Sequence, residues 1–288
     1  MKEEVKMKVD RAIRLVRSVW TKGDEPVVVA YSGGKDSDVI LELVRMAGIG
    51  YKAVYRSTTI DPPGTIMHAM RAGAEIRRPE KTFFQLVAEK GSPSRFSRFC
   101  CEKLKEYNTD TPVVILGIRR DESQKRKDRY KEPVVCNERN RRTHQQLVYP
   151  ILDWTIRDEE EFIRERGIRL HHQYYRKDGS TDLTRRLGCL CCPLMSHGKR
   201  MMQFQRYPGI ARLYIQAFRK FLSTHPNGKT HAKFQGSAAQ WFAYNALFEV
   251  PINEFFTIRD GLVPLREEDF RRMIVDQFGI NALPKDMR

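Results

Sequence analysis

Residues 27–37 read VVVAYSGGKDS, and the reading of this stretch decides the fold. Val27 to Ala30 is an unbroken, β-branched apolar run, as expected of a strand covered on both faces. After the turn Ser32-Gly33-Gly34, residues Val39, Ile40, Leu43, Val44 and Ala47 recur at the three-to-four spacing of an amphipathic helix, which Gly48 and Gly50 end. Glycines without Cβ let backbone N–H groups approach an anion, and the N–H groups that open a helix carry partial positive charge. Lys35 adds a point charge, so the stretch reads as a phosphate cradle. It is not the triphosphate loop GxxxxGK(S/T), because Gly33 directly precedes Gly34-Lys35 and Asp36 follows the lysine.

Outward from the turn, strand and helix signals alternate. Val5 to Trp20 has helical apolar spacing, Ala53-Val54-Tyr55 reads as a strand, Thr82 to Glu89 as a helix, and Val113 to Ile118 and Leu147 to Leu152 as further strands. Thr155 stands as N-cap to a helix over 156–166 with acidic residues in its first turn. This alternation predicts an α/β fold with a doubly wound, mostly parallel sheet, where ligands gather at the carboxyl ends of strands. Helical stripes at Ile210, Leu213, Tyr214, Ala217, Phe218 and Phe221, and at Phe270, Met273, Ile274 and Phe278, predict a C-terminal helical extension. The expected organisation is an N-terminal helix over 1–24, a nucleotide-binding α/β domain over 25–196 and the extension over 197–288.

The chain has 288 residues, 41% of them hydrophobic, enough to bury a sizeable core. Its apolar runs are strand-sized, well short of the roughly 20 residues of a membrane span. The charged opening MKEEVKMKVDRAIRLV does not resemble a signal segment, so a cytoplasmic protein with no membrane partner is expected. A formal charge of +16 implies an acidic partner. The block RRDESQKRKDRYKEPVVCNERNRR at 119–142 is either a solvated loop or a phosphate or nucleic-acid contact surface.

SGGKDS resembles the PP-loop of the ATP pyrophosphatases, enzymes of the adenine nucleotide α-hydrolase-like fold that adenylate a substrate. Thr59-Ile60-Asp61-Pro62-Pro63, Arg98 to Lys105 (RFCCEKLK), Gly117 to Ser123 (GIRRDES), Tyr149 to Trp154 (YPILDW) and Arg186 to Leu194 (RLGCLCCPL) narrow the resemblance to the phosphoadenosine phosphosulfate (PAPS) reductase family, over roughly residues 25 to 222. The resemblance implies that Ser32, Gly33, Gly34, Lys35 and Ser37 line a nucleotide pyrophosphate, that Asp36 helps hold Mg2+, and that Asp61 joins the nucleotide site. Arg119 and Arg120 suit bidentate phosphate or sulfate binding, and Lys35, Asp36, Arg119 and Arg120 are the candidate catalytic residues.

The six cysteines cluster as Cys100-Cys101 and Cys189-x-Cys191-Cys192, with Cys136 alone. In a reducing compartment thiolate ligation of a metal outranks disulfides. The pattern resembles the one that holds a 4Fe–4S cluster in the adenylyl-sulfate branch of the family, with Cys100, Cys101, Cys189 and Cys192 as ligands and Cys191 as an alternate to a neighbour or a free nucleophile. Zinc, or thiols without a metal, are the competing readings.

Two features depart from sulfonucleotide reduction. No cysteine follows Cys192 in this chain, and the loop is intact where true reductases have a degraded one. The leading expectation is ATP-dependent adenylation coupled to iron–sulfur-assisted sulfur transfer, with ATP as nucleotide, a sulfur donor protein, and tRNA or DNA among the acceptors the resemblance implies. The alternatives are a thioredoxin-dependent reductase of PAPS or adenylyl sulfate, and a nucleotide-responsive nucleic-acid-binding protein. His171-His172 read as an exposed loop pair, Trp154 and Trp241 as packing residues, Met201-Met202 as helix filler, and Arg206, Arg212, Arg219 and Lys220 as a solvated or basic helix face.

Overall fold

The computed structural model describes residues 1–21, 24–105, 111–137 and 145–288. The chain divides into two compact units, unit 1 comprising 1–57, 61–78 and 106–188, and unit 2 comprising 58–60, 79–105 and 189–288.

Unit 1 carries six strands, β1 (Val27–Tyr31), β2 (Tyr51–Arg56), β3 (Glu75–Arg77), β4 (Val113–Ile115), β5 (Val134–Cys136) and β6 (Gln146–Val148), in the sheet order β3-β2-β1-β4-β6-β5. All neighbours are parallel except β5 and β6. The helices of this unit are α1 (Glu3–Ser18), α2 (Lys35–Ala47), α3 (Thr65–Arg71), α6 (Gln124–Arg129) and α7 (Ile156–Arg166), numbered along the whole chain. This is the mostly parallel α/β fold expected from the alternation.

Strand period sorts the side chains of β1. Val27, Val29 and Tyr31 enter a core with Val9 and Val16 of α1, Ile40 and Leu43 of α2, and Phe162 of α7, while Val28 packs with Val54 and Val114 on the opposite face. Both faces of β1 are thereby covered, which is why its sequence is continuously apolar. Two strand readings end earlier than expected. The β4 ladder stops at Ile115, and after Val148 the chain turns, with Leu152 N–H donating to Tyr149 O (3.2 Å) and Trp154 N–H to Ile151 O (3.0 Å).

Sheet order reverses direction between β1 and β4, since the chain steps outward to β2 and β3 on one side and to β6 and β5 on the other. At such a point the loops after two neighbouring strands splay apart and leave a crevice at the carboxyl edge. The SGGKDS turn follows β1 and Gly117 to Arg119 follows β4, so both loops border it.

Unit 2 contains α4 (Phe83–Lys90), α5 (Phe99–Leu104), α8 (His197–Arg206), α9 (Pro208–Thr224), α10 (Lys229–Lys233), α11 (Ala238–Ala246), α12 (Ile252–Arg259) and α13 (Glu267–Phe278). The stripe read over 270–278 is the buried face of α13, and Tyr214, Ala217 and Phe218 of the other stripe lie in the buried face of α9, whereas Leu213 is exposed and Ile215 and Leu222, outside the stripe, are buried. These faces meet in a core rich in rings: Phe218 stacks on Trp241 at 4.1 Å, Phe204 meets Phe242 edge-on at 5.3 Å, and Phe255 and Phe270 are fully buried. Among the described residues no helix is long and apolar enough to cross a membrane.

Candidate functional site

The glycine turn is shaped by Gly33, whose φ of +75° lies in the left-handed region. A Cβ there would also come within 3.1 Å of Thr65 Cγ2. Gly34 is the N-cap of α2, and the hydroxyls of the turn are internally ordered: Ser37 Oγ donates to Gly34 O (2.6 Å) and Ser32 Oγ lies 3.2 Å from Ser37 Oγ. Asp36 and Asp38 stand in the first turn of α2, where the helix dipole favours carboxylates.

Gly117, in the loop after β4, seals the second wall. A Cβ at this position would sit 2.8 Å from Asp36 O, so only glycine lets the two loops approach this closely. The contact brings Arg119 to Asp36. Arg119 Nε donates to Asp36 Oδ1 at 2.7 Å and its guanidinium lies 3.3 Å from Asp121 Oδ2, while Asp121 also accepts from the Ile156 N–H that opens α7 (3.1 Å).

Glu159, on the first turn of α7, completes the cluster from below. It is fully buried, and its Oε2 lies 3.0 Å from Lys35 Nζ and 3.2 Å from Arg119 Nε. Neither approach has hydrogen-bond geometry, so the contacts are those of charge, made when Glu159 is ionised. Lys35 Nζ also donates to Asp36 Oδ2 at 2.8 Å. Two cations thus face two buried or half-buried carboxylates, with Asp36 the most exposed of the four.

The electrostatics separate the two acids. Burial pushes Glu159 up to about 8, aided by the Asp36 charge and opposed by Lys35 and Arg119. Burial acts on Asp36 in the same sense, yet Lys35 and then Arg119 outweigh it and hold this carboxyl below its usual value. Asp36 is therefore the fixed anion of the cluster and Glu159 the group that can take a proton near neutrality. Both Asp36 oxygens are engaged by cations, so a metal ion there would have to displace one of them.

Sequence reasoning missed two residues of this site. Tyr174 Oη accepts the Lys35 backbone N–H at 3.1 Å from a distant loop, and Glu159 reads in the sequence only as one of four acidic residues opening α7. The expected residues do not all converge. Arg119 joins the loop, but Arg120 turns away to bind the Tyr130 and Lys131 carbonyls and Asp153. Asp61 hydrogen-bonds Ser57 Oγ at 3.2 Å. Of the block 119–142, read as a solvated loop or a phosphate or nucleic-acid contact surface, Arg119 is only 3% exposed, and residues 138–142 lie outside those described.

His171 also departs from expectation. It is buried rather than exposed, because Nε2 reaches Thr65 Oγ1 (3.4 Å) and Nδ1 accepts from Gln173 N–H (3.3 Å). Burial, with His172 and His68 nearby, lowers it to about 4, so the ring is neutral. His172 alone is exposed. Trp154 and Trp241 are buried packing residues.

Five cysteines fall in unit 2. Cys100 and Cys101 open α5, and Cys189, Cys191 and Cys192 precede α8. The Cys100 thiol beside it holds Cys101 low with help from Arg98, while the neighbouring Cys101 and burial push Cys100 up. Cys189 and Cys192 lie within electrostatic reach of this pair. Cys191 is the most buried of the five: its φ is +51°, its side chain lies in the aromatic core, and its N–H donates to Gln203 Oε1 at 2.5 Å. The donor chemistry of the other four thiols fits a thiolate-ligated centre. Among the described residues, no three His, Cys, Asp or Glu side chains are drawn up as a finished metal shell.

A family model for the phosphoadenosine phosphosulfate reductase domain matches residues 26–195. The chain belongs to this family. An uncharacterized protein of Methanocaldococcus jannaschii is 27% identical over 235 residues, covering 76% of this chain and 46% of that protein, so the chain spans about half the length of the curated relative it matches. Among solved structures, the PAPS reductase of Candida auris in its phosphate complex is similar over 63% of this chain and 95% of that one, at 13% identity and a TM-score of 0.44. The U34-tRNA thiolase of Methanococcus maripaludis with its 4Fe–4S cluster is similar over 77% and 80%, at 12% identity and a TM-score of 0.39. Likenesses this distant carry no reaction across. Within the PAPS reductase domain, the loop after β1, Arg119 and the clustered cysteines before Met195 all fall inside the matched residues.

Proposed function

We propose that this PAPS reductase-family protein binds ATP at the Ser32–Ser37 loop, adenylates an acceptor with release of pyrophosphate, and passes sulfur to the activated position. The observation that supports the first half is the intact loop, with Gly33 in the left-handed region and Lys35 and Arg119 facing it as a buried cation pair. In the adenylation step an acceptor oxygen forms a bond to the α-phosphorus, the α–β bridging bond breaks, and the electron pair leaves on pyrophosphate. Lys35, Arg119 and the backbone N–H groups at the start of α2 stabilise that departing charge. Asp36 keeps both cations ordered before the nucleotide arrives.

The second half rests on the cysteines of unit 2. Cys100, Cys101, Cys189 and Cys192 would hold a 4Fe–4S cluster; four thiolates fill all four irons, so the sulfide-level nucleophile would come from the sulfur donor, displacing AMP, which would leave with the acceptor's oxygen. Cys191, committed to the core, is not counted among the ligands.

The test uses protein purified without oxygen and α-labelled ATP, with bulk RNA as acceptor and sulfide as sulfur donor. The expected products are AMP and pyrophosphate, with Lys35→Ala losing both while keeping its unfolding transition. A folded Lys35→Ala variant that retains full activity would overturn the site. Sulfite formed from adenylyl sulfate, without pyrophosphate from ATP, would replace adenylation with reduction. Iron and acid-labile sulfide near four of each per chain support the cluster; stoichiometric zinc in a colourless protein sinks it.

A further inference from the structure

Unit 1 holds a cavity that no residue of the Ser32–Ser37 loop lines. Its volume is about 460 Å³, and its walls include Met67, His68 and Arg71 of α3 and Arg169, His172 and Tyr175 of the chain after α7. Sites for small organic ligands run from about 300 to 1,000 Å³, so the space is far larger than one inorganic anion needs.

Its chemistry is one-sided. No carboxylate lines the cavity. Arg71 and Arg169 are both exposed, and neither side chain makes an ion pair or hydrogen bond with another described residue. Two unpaired guanidiniums beside one cavity repel each other, and an anion bridging them relieves that repulsion with charge-assisted hydrogen bonds. The remaining walls suit a flat, weakly polar body. Met67 is 52% exposed despite its apolar side chain, and the rings of His172 and Tyr175 stand with it.

His68 is fixed in this wall. Its Nε2 lies 3.0 and 3.1 Å from the two oxygens of the buried Asp38, which also accepts from Tyr31 Oη. Asp38 is the acceptor here, so the His68 proton sits on Nε2 and Nδ1 is the nitrogen left for a ligand. The buried His171 behind it has both nitrogens satisfied and acts as support.

We propose that this cavity binds a nucleoside monophosphate unit, its phosphate bridging Arg71 and Arg169 and its base against Met67, His172 and Tyr175. The unit can be a free nucleotide or one residue of a single-stranded RNA, and the chemistry of recognition is the same for both. No residue of the proposed ATP loop lines the cavity, although His68 in its wall stands beside Gly33, and separate variants let each site fail without the other.

Binding of AMP, adenosine and a 5′-phosphorylated oligoribonucleotide to the full chain is measured by calorimetry. Two AMP-binding events are expected. The double variant Arg71→Gln/Arg169→Gln should lose one of them by roughly tenfold or more in affinity, as expected for lost charge-assisted bonds, and keep ATP binding unchanged. Lys35→Ala should show the reverse pattern. An oligoribonucleotide that binds well above AMP and loses that advantage in the double variant assigns the unit to RNA; equal affinities assign it to a free nucleotide. Adenosine binding as tightly as AMP, or a double variant with both events intact, overturns the proposal.

Discussion

At the scale of single residues, the decisive feature is the unequal treatment of two acids that share the same cations. Asp36 is held ionised by Lys35 and Arg119, whereas the fully buried Glu159 is pushed up to about 8. A carboxyl whose folded value lies above its unfolded one binds an extra proton in the native state, so stability is full at low pH and falls as pH rises from 4.5 to about 8. Glutamine at this position carries no such titration. Thermal unfolding of Glu159→Gln against the parent chain should therefore shift in favour of the variant as pH rises through that window and stay constant above it. Parallel curves from pH 5 to pH 9 would show that Glu159 is ionised throughout. Glycine matters at this scale too, since Gly117 marks a backbone contact with Asp36 that the GIRRDES string cannot reveal.

Among elements, α7 shows how a local signal places a distant charge. Thr155 Oγ1 accepts from Asp158 N–H and Asp158 Oδ2 accepts from Thr155 N–H (2.7 Å), a reciprocal capping box that the sequence announced by a threonine before an acidic turn. The cap sets the first turn and so the height at which Glu159 enters the Lys35–Arg119 cluster. Thr155→Ala should cost about 1 kcal/mol, read as a lower denaturation midpoint, and Thr155→Ser should recover most of it. Equal losses for alanine and serine would mean that the methyl group, not the cap, is what matters. By contrast β3 and β5, three residues each, carried too little pattern to stand out, and they form because the longer strands beside them offer a ladder edge.

For the molecule as a whole, the chain visits unit 2 in three separate segments, and its core is closed by rings from α9, α11 and α13. Phe218 is fully buried against Trp241 at 4.1 Å. Removing such a ring leaves a cavity, so Phe218→Ala should cost about 3–5 kcal/mol. Leu213→Ala, on the exposed side of the same helix at 38% exposure, should change stability by no more than about 0.5 kcal/mol. Trp241 fluorescence during denaturation follows both, and similar losses at the two positions would contradict the packing described for α9.

The sequence by itself determined the α/β class, the glycine turn that opens α2, the capped helix α7 and most of the buried faces of α9 and α13. Each of these is written in neighbouring residues, as a period, a glycine pair or a cap. Only the tertiary structure decided which polar residues meet: that Arg119 joins the loop and Arg120 leaves it, that Tyr174 and Glu159 close the site, that His171 is buried, and that Cys191 lies in the core. Those choices depend on strand order, backbone conformation and the cost of burying a charge without a partner, and none of the three has a local period that a linear reading can detect.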